Sequence, residues 1–132
     1  MTPDDLIGTW EMVSFVTTFE DGTTHLSYGT TPKGQITYTA DCYMSAHLWD
    51  PDRHKPNQDV GSDPAYFSYC GRWKVEGSRV CHSVIAATAP AWAGTDVFRQ
   101  IIPRDDQIEL MAEGVVFGGK TGVSSIVWQR TR

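Results

Sequence analysis

The chain has 132 residues, 16 of them acidic and 11 basic, for a net charge of −5. No cluster of Lys or Arg interrupts that acidic balance, which excludes nucleic acid and anionic membrane surfaces as main partners. No apolar run approaches the roughly 20 residues of a membrane span, and the first residues (Met-Thr-Pro-Asp-Asp-Leu) carry neither the basic nor the apolar part of a leader, so the expected location is the cytoplasm.

In chain order, residues 2–8 read as one helical turn, with Thr2 as N-cap, Pro3 at the first helical position, two acids behind it and Gly8 as the stop. Residues 6–19 form the longest β-type run, and apolar side chains fall on both of its faces. Glu20 to Thr23 signal a hairpin, 25–28 a short strand and 31–34 a turn; 35–39 and 43–49 then pair as a second hairpin. In the strand over 43–49, Tyr43, Ser45, His47 and Trp49 share one face, while Met44, Ala46 and Leu48 share the other.

Residues 50–64 break this rhythm with three prolines and no periodicity. Loops of that length are commonly functional, and 50–68 is expected to form a lid over an open barrel mouth, with Asp63 and Pro64 starting a capped turn inside it. Strands follow over 69–75, 79–87, 95–102, 107–112 and 123–131. Gly118 to Gly122 make the last turn; the spacing of a phosphate loop is absent there, and a strand rather than a helix follows. The count is eight or nine short strands in one domain over 1–132. Pairing the first strand with the last, Ile126 to Arg130, would remove both sheet edges and close a barrel.

Gly8, Thr9 and Trp10 opening the first strand, with Arg130 closing the last, resemble the signature of the calycins, in which the cation caps the buried indole. The further stretches Ile36 to Thr39 with Tyr43 to Ala46, Ala65 to Phe67, Gly71 to Val75, Val80 to Val84, Gly94 to Asp96 with Arg99, and Val127 to Arg130 resemble the lipocalin-like domain family of small bacterial and fungal proteins. The match runs from about Gly8 to Arg130 and departs from the family at one turn, where Asp41-Cys42 replaces Asp-Gly. It implies an all-β, up-and-down, lipocalin-like barrel of eight to ten strands. It also implies a function, since similar proteins occur among natural-product pathway cyclases.

A barrel of this size encloses room for one small ligand. The candidate lining is aromatic: Tyr38 or Tyr43, then Trp49, Tyr66, Phe67, Tyr69, Trp73, Trp92, Phe98 and Phe117. His82 lies on the face of Val80 and Val84, and Arg99 on that of Val97 and Ile101. An inward His beside an Arg is a minimal kit for proton transfer, because imidazole titrates near neutrality and a guanidinium holds an oxyanion. His47 is the third catalytic candidate, with Asp96 or Glu113 as possible carboxylate partners. On this reading His82→Ala spares fold and affinity while slowing turnover by about 10²- to 10⁴-fold. The four His and three Cys show no metal-binding spacing, and the odd, widely spaced thiols argue against a disulfide framework. The expected activity is that of a cofactor-independent isomerase, cyclase or dehydratase acting on a small hydrophobic metabolite, as a monomer or homodimer. The alternative is a carrier of the same kind of molecule.

Overall fold

The computed structural model describes residues 2–52 and 66–131. A helical turn α1 (Pro3–Leu6) precedes nine strands: β1 (Gly8–Phe19), β2 (Thr24–His25), β3 (Lys33–Tyr38), β4 (Tyr43–Trp49), β5 (Tyr66–Glu76), β6 (Arg79–Ala87), β7 (Asp96–Arg104), β8 (Gln107–Phe117) and β9 (Lys120–Arg130). All pairings are antiparallel. The sheet runs β2-β1-β3-β4-β5-β6-β7-β8-β9, and β1 also pairs with β9, so eight strands close a barrel with β2 as an extra strand beside β1. Among the described residues no helix is long and apolar enough to cross a membrane.

Three bulges shape the wall. The β1–β9 register slips between Met12 and Ser14, where Val13 turns outward and is 49% exposed. Before the slip Trp10 and Met12 face the core; after it Thr17 and Phe19 are the buried positions and Phe15 packs against the core. The two apolar faces of the sequence are therefore one inner face whose parity changes once. A second slip at Cys70/Gly71 extrudes Ile85 from β6, and a Cβ on Gly71 would lie 2.1 Å from the Ser83 carbonyl oxygen, which makes glycine obligatory there. The third lies between Ala112 and Val115 and contains Gly114 at φ +67°. It carries β8 on to Phe117, past the end at residue 112 that the sequence led us to expect.

One end of the barrel is plugged. Leu6, Trp10, Trp73, Val80, Ile108 and Trp128 are buried there. The Trp10 indole N–H donates to the Leu6 carbonyl at 2.9 Å, and the Arg130 guanidinium lies 4.2 Å from the Trp10 ring centroid. Arg130 also donates to the carbonyls of Ile7 (3.0 Å) and Asp5, so one cation joins the chain termini and covers the indole. Gly8 has φ +130°, and a Cβ there would come within 3.2 Å of Arg130 Nη1. The Gly-x-Trp and Arg elements are thus parts of one contact.

Two local expectations change. Cys42 takes φ +71° in the β3–β4 turn, the left-handed position a glycine would fill at no steric cost; the pairing is kept because Cys42 N–H donates to the Thr39 carbonyl at 3.1 Å. Residues 66–68 belong to β5, not to a capped turn. The Asp63 cap and the body of the lid lie outside the described residues. Near residue 50 the backbone N–H of Asp52 donates to the Asp50 carboxylate at 2.9 Å.

Candidate functional site

A cavity of about 260 Å³ occupies the half of the barrel away from the plug. Its wall is mostly apolar, with Phe15, Ile36, Leu48, Phe67, Leu110 and Ile126 among its members, and Trp92 contributes from the connection after β6. Small residues make the room: Ala46 on β4, Ala112 on β8 and Ser124 on β9 all border it.

One set of its polar groups, Tyr69, His82 and Arg99, comes from β5, β6 and β7. His82 is 1% exposed and sits between two phenols, Nε2 being 2.7 Å from Tyr38 Oη and Nδ1 2.7 Å from Tyr69 Oη. Burial, reinforced by the Arg99 charge, depresses the imidazole to a pKa of about 3, so it is neutral at physiological pH. Burial also raises the Tyr69 phenol to about 12, against an opposing pull from Arg99, and pushes Tyr38 well above its ordinary value. Arg99 pairs with the inward-facing Val80 across the β6–β7 ladder and borders the cavity. Its Nη1 donates to the Phe98 carbonyl at 2.9 Å, and among the described residues no carboxylate pairs with it.

On the opposite wall Thr17 and Ser124 share a buried hydrogen bond of 2.8 Å. Trp128 borders the cavity as well, and its indole N–H is buried without an acceptor among the described residues.

His82, Arg99, Tyr69 and Trp92 therefore meet at one cavity, together with Phe67. The other candidates do not join them. His47 lies on the outer face, where Nδ1 is 2.7 Å from Tyr66 Oη in a shallow groove shared with Trp49 and Gln35. Tyr43 is exposed beneath the Arg72 guanidinium, and Phe98 is exposed beneath that of Arg79. Phe117 is exposed in the β8–β9 hairpin, stacked on His25 at 4.3 Å. Trp73 is buried against Tyr38 and donates from its indole to the Thr39 carbonyl at 3.1 Å, away from the cavity lining. Asp96 and Glu113 are exposed. The physical reason on β4 is that the bore accepts the narrower Ala46 and Leu48 and turns the bulky aromatic face outward.

The family model for the lipocalin-like domain matches residues 7–131, nearly the whole chain. The chain belongs to the lipocalin-like domain family. No curated protein sequence matches it. In this lipocalin-like barrel, Phe15, Tyr28, Val115 and Ser124 line the cavity although sequence reasoning missed them. Phe15 and Val115 were hidden by the bulges preceding them, and no local pattern announced Ser124. Among the described residues no group of three His, Cys, Asp or Glu side chains is placed to hold a metal ion, and Cys42, Cys70 and Cys81 are free thiols.

Proposed function

We propose that this lipocalin-like barrel takes up one small, mainly apolar molecule through its unplugged half and holds it against Arg99. The observation that carries the reading is an apolar cavity whose one full charge has no carboxylate partner among the described residues. A half-buried guanidinium on an apolar wall, with no carboxylate beside it among the described residues, attracts a ligand oxygen that supplies the missing partner. The setting belongs to the same proposal: a cytoplasmic monomer or homodimer that works without a cofactor.

A second reading is favoured by the Tyr38–His82–Tyr69 chain, which ends on a hydroxyl at the cavity. A cofactor-independent isomerase, cyclase or dehydratase needs a proton donor beside a group that stabilises developing negative charge, and Tyr69 with Arg99 meets that need. His82 then acts through Tyr69, because both its ring nitrogens are already engaged.

Uptake is tested with N-phenyl-1-naphthylamine, a neutral apolar dye that brightens on leaving water. Saturable binding of one dye per chain is expected. Ala112→Trp, which fills the cavity from an inward position, should weaken it at least about tenfold. Equal dye affinity in wild type and variant would contradict uptake into the cavity.

A further inference from the structure

Which way the Tyr69 hydroxyl proton points follows from burial. Tyr38 is 1% exposed and does not border the cavity, and among the described residues the one side-chain partner of its hydroxyl is His82 Nε2. A phenolic proton left unpaired in such a place is strongly disfavoured, so Tyr38 donates to Nε2. Nε2 is therefore unprotonated. The neutral imidazole carries its hydrogen on Nδ1 and donates it to Tyr69 Oη, 2.7 Å away. With its oxygen already accepting from His82, Tyr69 has its own O–H free to donate, and Tyr69 borders the cavity.

Arg99 borders the cavity from β7 and can only donate. Trp128 also borders the cavity, but its indole N–H is itself fully buried and is not a donor that a ligand reaches. Among the described residues no carboxylate borders the cavity beside these groups: both His82 nitrogens are engaged, the Tyr69 oxygen accepts from His82, Tyr38 lies off the lining, the Thr17–Ser124 pair is satisfied within itself, and the Tyr28 hydroxyl can donate as well as accept. The cavity thus has an excess of donors and one positive charge.

We infer that the ligand is an organic acid bound as its anion, with a carboxylate or equivalent oxyanion held between the Arg99 guanidinium and the Tyr69 hydroxyl and an apolar, ring-containing body in the rest of the cavity. This deepens the uptake reading and rests on it. His82 and Tyr38 are positioning residues here: they aim the Tyr69 proton and do not touch the ligand's oxygens. A charge-assisted contact to a guanidinium discriminates against a neutral isostere, which leaves the half-buried cation uncompensated.

The test is competition against the neutral dye by two probes of matched shape, naphthalene-1-acetate and naphthalene-1-acetamide. Wild type should prefer the acid at least tenfold at pH 7. Arg99→Gln should bring the ratio close to one while still binding the dye, and Tyr69→Phe should reduce it several-fold. In wild type the preference should vanish as pH falls through the acid's own pKa. Equal affinity for acid and amide in a protein that binds the dye would overturn the inference and leave uptake standing. A preference that survives Arg99→Gln would overturn the assignment to Arg99. Failure of wild type to bind dye, acid or amide would overturn uptake and the inference together. Dye binding by each variant, with a cooperative thermal transition, shows that a lost preference is not a lost fold.

Discussion

Replacing His82 with alanine is expected to destabilise the barrel by roughly 3 to 5 kcal/mol, the range for losing a fully buried side chain together with its hydrogen bonds. The deletion opens a hole between β3, β5 and β7 and leaves the Tyr38 hydroxyl buried without a partner. This differs from the effect on turnover alone that the sequence implied, because the sequence could not show both nitrogens bonded. His82→Gln, whose amide can donate to one phenol and accept from the other, should lose much less.

The same residue sets a pH dependence. The folded imidazole titrates at about 3, below the ordinary value of 6.5, so between these values the unfolded chain binds a proton that the folded chain does not. Stability contributed by the neutral imidazole is complete above pH 6.5 and is lost as pH falls toward 3, at up to roughly 1.4 kcal/mol per pH unit. Tyr38, Tyr69 and Arg99 are the titratable groups facing it, and the phenols, both raised by burial, stay neutral throughout this window. Urea unfolding at several pH values should therefore show a steeper acid loss in wild type than in His82→Gln. Parallel curves would show that His82 is not buried neutral.

Trp10→Ala is expected to cost a further large amount, about 3 to 5 kcal/mol, for a buried indole truncated inside the plugged end. The variant loses the bond to the Leu6 carbonyl and leaves Arg130 without the ring beneath it. Arg130→Ala should cost less, and a double-mutant cycle should return a coupling of about 0.5 to 2 kcal/mol. A Trp10→Ala midpoint within about 1 kcal/mol of wild type, at unchanged slope, would mean that the plug does not depend on this contact.

The fold was legible because its two ends carried specific chemistry. Gly8, Trp10 and Arg130 have few other reasons to occur together, and turn residues separated the strands cleanly. Side-chain direction was legible only where no bulge intervened: β6 from Val80 to Val84 and β7 from Val97 to Ile101 keep one parity, and this placed His82 and Arg99 at the cavity. It failed on β4, where the aromatic face looked internal and the structure turns Ala46 and Leu48 inward. It was also lost beyond Val13, Ile85 and Gly114, because one extra residue reverses every later position. The Tyr38–His82–Tyr69 chain spans separations of 44 and 13 residues, and no local pattern encodes such a meeting.

The central claim, uptake into the barrel beside Arg99, is tested most directly by methyl-resolved NMR during titration with naphthalene-1-acetate. The largest shifts are expected at Ile36, Leu48, Leu110 and Ile126, which line the cavity, with Val13 and Ile85 on the outer wall unmoved. Shifts confined to Val13, Ile85 or other outer-wall methyls, or none at saturating acid, would contradict it.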